Sequence, residues 1–295
     1  MPTSSYNDDL GLAHLLADSA AQVGNSRFRS SDLRVSTKPD MTEVTDADTT
    51  IEEVLRSTLG RARPRDGIFG EEYGDNPGAS GRKWVIDPID ATRNYVRGVP
   101  IWATLIALFD RGEPVVGVVS APALNRRWWA MKGAGAFAGR DQRAGKRIHV
   151  SKVAKLSDAS VSISSITGWT KLDRQGAMLG LLHEAWRERG FGDFYSYCLL
   201  AEGAVDIAAE PELALYDMAA PEIIVREAGG RFSSLDGTDG PFGGNALATN
   251  GHLHEAALAF LGSLPDGTDD PDDPESRRAG PGSVHDLHSR RPRTD

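Results

Sequence analysis

Apolar side chains recur along the first sixty residues with helical spacing. Leu12, Leu15, Leu16, Ala20 and Val23 form a stripe that predicts a helix over 8–28, and Gly24 lies near its end. Ile51, Val54, Leu55 and Leu59 fall at i, i+3, i+4 and i+8, an amphipathic helix that Thr45 or Asp46 would cap. Past a Gly-rich loop at 76–82 the period shortens. Residues 84–87, 101–109, 114–121 and 127–131 are short apolar runs divided by turn residues, which predicts an antiparallel or mixed sheet. Gly133-Ala134-Gly135 lacks the spacing and the following helix of a nucleotide-binding loop, so it reads as a hairpin.

The character changes around 150–157, which divides the chain into an N-terminal lobe at 1–149 and a C-terminal lobe at 150–263. In the second lobe the pattern predicts a strand at 159–166, a helix at 175–189 and a short aromatic strand at 191–197. A helix at 216–225 follows, with Asp217 as N-cap, Pro221 in the first turn and Gly229-Gly230 as its stop. Strands at 231–235 and 247–249 and a helix at 254–261 complete an α/β chain of mixed layers. The tail at 264–295 is rich in Pro, Asp and Arg and nearly devoid of large apolar side chains. It is expected to be disordered.

Composition narrows the function. A hydrophobic fraction of 40% with 25% charged residues belongs to an ordinary soluble protein. The net charge of -9 argues against a nucleic-acid partner, because phosphate backbones require basic stripes. It leaves a small phosphate ligand open, provided that bound cations reverse the local charge. Cys198 is the one cysteine, so no internal disulfide is possible and a reducing compartment is expected. No N-terminal basic region precedes an apolar run, and no stretch approaches the roughly 20 apolar residues that span a bilayer. The expectation is a cytoplasmic protein with no membrane partner.

Five acids stand out by position. Asp46, Glu71, Asp87, Asp90 and Asp217 each come at the end of an apolar strand or the start of a helix, where α/β architectures form their crevices. So many hard oxygen donors, with no Cys/His cluster, point to Mg²⁺ or Mn²⁺ and away from zinc. The Ile89 carbonyl offers a further ligand between the two aspartates, and the N–H groups of Ala91 and Thr92 would hold phosphate oxygens. No Ser/His or Cys/His arrangement supplies a nucleophile, which fits attack by a metal-activated water.

Asp87-Pro88-Ile89-Asp90-Ala91-Thr92 resembles the first signature of the inositol monophosphatase family, Asp-Pro-hydrophobic-Asp-Gly-Thr. Gly70-Glu71-Glu72 is similar to its Gly-Glu-Glu element. Tyr216-Asp217-Met218-Ala219-Ala220, followed by Glu227-Ala228-Gly229-Gly230, is similar to its second signature. Lys38 and Val44-Thr45-Asp46 match its early element, and the likeness runs in order from about residue 8 to 262. This resemblance implies an αβαβα sandwich, Mg²⁺-dependent phosphomonoester hydrolysis with two or three cations, and a homodimer. It implies that Glu71, Asp87 and the Ile89 carbonyl hold a first cation, that Asp87, Asp90 and Asp217 hold a second, and that Glu71 helps to hold a third. It further implies that Thr92, paired with Asp46, activates the attacking water alongside Glu71. Two departures are visible: Ala91 replaces a glycine, which strains the loop if φ there is positive, and Tyr216 replaces a tryptophan.

The substrate turns on other acids. Glu210, seven residues before Asp217, occupies the position of the family's sugar-hydroxyl-binding glutamate. Asp193 falls where inositol-preferring members have a small residue, and a carboxylate gains more from a cation than from neutral hydroxyls. Segments 97–104 and 192–197 look like the histidinol-phosphatase branch, which implies L-histidinol phosphate as substrate. Asp193 and Glu210 would then hold its amine or imidazolium, with Asp90 and Asp217 nearby. The alternatives are an inositol-1-phosphatase or nucleotide-3′-phosphatase relative, and an inactive metal-binding scaffold. The full set of Glu71, Asp87, Asp90, Thr92 and Asp217 speaks against the scaffold.

Overall fold

The computed structural model describes residues 6–39 and 41–262; the tail expected to be disordered, 264–295, lies outside them. The chain opens with α1 (Asn7–Arg27), the short antiparallel pair β1 (Val35–Thr37) and β2 (Glu43–Thr45), and α2 (Asp46–Ala62). The cap of α2 is Thr45, with Asp48 completing the box from the N3 position.

There follow β3 (Gly67–Gly70), β4 (Gly74–Asn76), β5 (Arg82–Asp90), a single turn α3 (Thr92–Val96), β6 (Ala103–Asp110) and β7 (Glu113–Ala121). The lobe ends with β8 (Arg126–Met131), β9 (Gly135–Gly139) and β10 (Lys146–Ile148). These strands form one eight-stranded sheet in the order β10-β9-β8-β7-β6-β5-β3-β4, antiparallel except between β3 and β5. The Gly133-Ala134-Gly135 step is the β8–β9 hairpin, as expected.

The second lobe comprises β11 (Ser160–Ile163), α4 (Ile166–Lys171), α5 (Gln175–Glu184), β12 (Arg187–Arg189) and α6 (Asp193–Ala201). It continues with β13 (Ile207–Glu210), α7 (Leu215–Glu227), β14 (Arg231–Ser233), β15 (Ala246–Thr249) and α8 (His254–Leu261). Its sheet runs β12-β11-β13-β15-β14.

Several expectations are corrected here. Residues 193–201 are a helix and not an aromatic strand, because Phe194, Tyr197, Cys198, Leu200 and Ala201 bury at helical spacing in the central core. The helix expected at 175–189 stops at Glu184 and yields to an edge strand. The strand expected at 159–166 ends at Ile163. Asp217 is not the N-cap of α7; Ala214 is, and Asp217 sits one turn in, its carboxylate accepting from the Ala214 N–H at 2.7 Å. Pro221 accordingly falls in the second turn and leaves the Asp217 carbonyl without its helical donor.

Strand parity explains the layering. On β5 and β6 the even residues Trp84, Ile86, Ile106 and Leu108 pack under α1 and α2, whereas Val85, Leu105 and Ala107 face α6 and α7. A third cluster joins the outer face of the small sheet to Trp169, Met178, Leu181 and Leu261 of α4, α5 and α8. The result is the expected five-layer αβαβα sandwich. Its middle layer is α6 and α7, packed between the two sheets, so the largest core draws on both halves of the chain. Met218, Ile223, Ile224 and Val225 of α7 are fully buried, each contributing about 1.5–3 kcal/mol. At Gly117 of β7 the backbone meets α7 directly: a Cβ there would lie 2.5 Å from Ile223 Cγ2.

Candidate active site

The two aspartates of β5 lie three residues apart, which in a regular strand places them on opposite faces. The pairing with β6 breaks between them. Asp87 opposes Leu105 and Asp90 opposes Ala103, so β5 spends three steps where β6 spends two. This bulge at Pro88, which has no N–H to give the ladder, turns Asp90 onto the face of Asp87 and turns Ile89 into the outer core. The Pro88 carbonyl is held by Thr104 Oγ1 at 2.8 Å.

Asp217, from the first turn of α7, comes to the same point. Asp87, Asp90 and Asp217 each offer an oxygen, all within 4.8 Å of one another. Asp90 Oδ2 accepts the Phe194 N–H at 2.8 Å, so a carboxylate 104 residues away caps the start of α6. Asp87 Oδ1 is buried with no hydrogen-bond partner among the described residues. Burial and the neighbouring acids raise Asp87 and Asp90 well above the carboxylate range, and Asp217 to about 7. Crowded, dry, hard oxygens with one left unpartnered fit a divalent cation.

Glu71 follows β3, and its side chain meets Lys38. The Lys38 ammonium donates to Glu71 at 2.7 Å and to Glu72 at 2.8 Å. Burial pulls Lys38 down, but these two bonds outweigh it and hold the charge. The turn is shaped from below by Glu52, which is fully buried and accepts the Glu72 N–H at 2.8 Å. A Cβ on Gly70 would lie 2.0 Å from Glu52 Oε1, so only glycine passes there. Glu52 and Asp48 escape a reading by sequence alone. The Thr45-x-x-Asp48 capping spacing is the signal that marks Asp48; Glu52 has none beyond its place on the buried face of α2.

The pairing of Thr92 with Asp46 is overturned. Thr92 Oγ1 donates to the Ile89 carbonyl at 2.9 Å and lies 3.3 Å from Asp48 Oδ1. Asp46 is engaged instead by Arg27 at 2.8 Å and Arg34 at 3.4 Å. Because Asp46 and Asp48 are 200° apart on the helix, only one can face Thr92. Burial lifts Asp48 to about 6, against the opposing bonds from Thr45.

Ala91 is the N-cap of α3 with φ 65° and ψ 48°, the left-handed conformation that costs a non-glycine residue about 1 kcal/mol. Replacing it by glycine is expected to raise thermal stability, by roughly 0.5 kcal/mol after the greater entropy of the unfolded chain is subtracted. Differential scanning calorimetry measures this; a lower melting temperature would show that the alanine methyl contributes packing that outweighs the strain.

A cleft of about 580 Å³ opens over these groups, lined by Glu71, Asp90, Thr92, Asp193, Glu210 and Asp217 among others. Asp193 opens α6 with φ 50°, after Gly192 at φ 72°. Burial raises its pKa, against the field of Arg93. Glu210 ends β13, and burial and Asp193 lift it to about 8 although Ser164 and Tyr197 oppose them. Tyr216 stands half-buried beside Phe69, ring centroids 6.0 Å apart.

A five-layer sandwich with a carboxylate cluster where a bulged strand meets two helix starts defines a class of metal-dependent phosphatase. Residues 9–264 match the inositol monophosphatase family, and the chain belongs to it. It is 56% identical over 255 residues to a histidinol-phosphatase of Mycobacterium tuberculosis, covering 86% of this chain and 98% of that one. A histidinol-phosphatase of Streptomyces coelicolor is also 56% identical, with 87% and 97% covered. Among solved structures, an inositol monophosphatase from Zymomonas mobilis superposes with a TM-score of 0.76 at 32% identity, covering 88% of this chain and 99% of that one. Among the described residues no helix is long and apolar enough to cross a membrane.

Proposed function

We propose that this chain is a Mg²⁺-dependent histidinol-phosphatase, releasing L-histidinol and phosphate as a step of histidine biosynthesis. The observation that carries the reading is the 56% identity to two histidinol-phosphatases over nearly their whole length, against 32% to the inositol monophosphatase. In this reading Glu71, Asp87 and the Ile89 carbonyl hold one cation, Asp87, Asp90 and Asp217 a second, and Glu71 helps with a third, Mn²⁺ serving as a substitute. When bound, the cations neutralise the phosphate and lower the pKa of a coordinated water.

The chain's own groups do the rest. The N–H groups of Ala91 and Thr92, which have no partner inside so short a helix start, take phosphate oxygens. The Thr92 hydroxyl, held by the Ile89 carbonyl and Asp48, orients the attacking water, and Asp48 with Glu71 accepts its proton. Asp193 and Glu210 receive the amine or imidazolium, with Asp90 and Asp217 closing the same wall. Glu210, lifted by burial, releases a proton as the cation arrives. The lobes at 1–149 and 150–263 each supply ligands, and the enzyme acts as a homodimer in the cytoplasm.

Kinetics on histidinol phosphate and inositol-1-phosphate, side by side with Mg²⁺, test this. The expected result is a higher kcat/KM for histidinol phosphate; the reverse order overturns the substrate. Asp193→Ala is expected to lower that kcat/KM by about tenfold, the worth of one charge-assisted bond, and to spare a neutral phosphate ester. Equal losses on both esters would remove Asp193 from specificity.

A further inference from the structure

A second cavity of about 340 Å³ lies away from the metal cluster, between the β6–β7 hairpin, the C-terminal half of α7 and the segment after β14. Its floor is Glu222, five residues beyond Asp217 on α7 and 2% exposed. One Glu222 oxygen faces Arg226 at 3.3 Å, while Oε2 is buried and has no hydrogen-bond partner among the described residues. A buried carboxylate oxygen left unmatched costs about 1–3 kcal/mol, and burial lifts Glu222 to about 7, so a cationic donor at Oε2 would restore its ionised form.

The rest of the cavity says what kind of donor. Its carboxylates are Glu113, Glu222 and Asp239; Glu113 is engaged by Lys132 and Asp239 by Arg231, which leaves Glu222 Oε2 as the unmatched acceptor. The cations are already committed. Arg231 is engaged by Asp239 and Glu255, and Arg226 lies against Glu222 and the Pro114 carbonyl. Each guanidinium thus already faces a carboxylate, whereas one carboxylate oxygen faces no cation. At the rim stands Phe242, 62% exposed, with its ring 6.0 Å from Phe109. An exposed phenyl face beside an unmatched carboxylate is the pair of features that binds an ammonium carried on a ring, one by charge and hydrogen bond and the other by stacking or cation–π contact.

We infer that this cavity is a second ligand site, distinct from the active cleft, that takes a small aromatic or heteroaromatic amine, with its ammonium on Glu222 Oε2 and its ring against Phe242. The site rests on geometry independent of the phosphatase reading and stands whichever ester is hydrolysed.

Ligand-observed ¹⁹F NMR with 4-fluorobenzylamine as the probe tests it on the full chain, with 4-fluorobenzyl alcohol as the uncharged control. Wild-type protein is expected to broaden the amine signal and not the alcohol. Glu222→Gln, which keeps the shape, and Phe242→Ala, at an exposed position, are each expected to weaken amine binding tenfold or more. Asp193→Asn separates the two acidic cavities, because an amine in the second site is indifferent to it. Loss of binding in Asp193→Asn with retention in Glu222→Gln would assign the amine to the active cleft and overturn the proposal. Equal binding of amine and alcohol, or none to wild type, would overturn it as well.

Discussion

Replacing Asp87 by asparagine is expected to abolish turnover while making the metal-free protein more stable. Asp87 is fully buried, one of its oxygens has no partner, and Glu71, Asp90 and Asp217 surround it. Without a cation the ionised group is penalised by burial first and by its neighbours second. Removing the charge relieves about 1–3 kcal/mol, or roughly 2–10 °C in melting temperature for a chain of this size. Turnover should fall by about 10³-fold or more, because charge stabilisation at the transferring phosphoryl group is lost.

The pH dependence follows from the direction of the shifts. Asp87 and Asp90 are raised, Asp217 to about 7 and Glu210 to about 8, so the folded metal-free protein holds protons that the unfolded chain releases. Their contribution is therefore present in full at low pH and is lost as pH rises from about 4 through 8. In chelator, the melting gap between Asp87→Asn and wild type should widen from pH 5 to pH 8. The stabilisation of wild type by added Mg²⁺ should grow over the same range, reaching about 2.7 kcal/mol at a hundredfold excess over Kd. A gap that narrows with pH would mean that Asp87 is not penalised in the native state.

The second large effect separates two aspartates that stand two residues apart. Asp48→Asn is expected to lower kcat by about 10²–10⁴-fold, the span of a lost proton acceptor, with little change in KM. Asparagine still accepts from the Thr45 N–H, so the cap of α2 survives and the loss is chemical. Asp46→Ala removes exposed and half-exposed ion pairs to Arg34 and Arg27 and should cost under about 1 kcal/mol of stability, with kcat within about twofold of wild type. If the two variants traded places, the water-activating role would belong to Asp46.

Those two residues also show where a sequence stops being readable. The acids of the cluster can be picked out because each ends an apolar strand or starts a helix; the periods of two and 3.6 give the elements, and the five layers come from the family resemblance. Asp46 is matched to Thr92 through the likeness of Val44-Thr45-Asp46 to the family's early element, and only the direction of each side chain tells it from Asp48. The bulge that brings Asp90 beside Asp87 has a local cause in Pro88. The helix at 193–201 does not: Gly192 and Asp193 both adopt positive φ, and the donor at its start is met by Asp90, 104 residues earlier. The run of aromatics over 191–197 argues for a short strand, and a partner so distant in the chain overrides it. Glu52, holding the Glu71 turn from beneath, shares that origin in tertiary contact.

The placement of α7 carries a consequence for how such an enzyme can change. From Met218 to Val225 every residue of this helix is buried, one side meeting β7 at Gly117 and the other meeting the small sheet. A substitution there must satisfy two sheets at once, and Asp217 is mounted on that constrained piece. Asp193 stands outside that double interface, on the wall of the cleft, on a turn where a Cβ on Gly192 would meet nothing within 4 Å but where both Gly192 and Asp193 hold positive φ. The chain thus mounts a proposed cation ligand on the piece that must satisfy both sheets, and the residue proposed to choose the ester outside it. Changes along 218–225 therefore disturb the fold and the metal site together, whereas exchanging the side chain at 193 acts on the cleft alone.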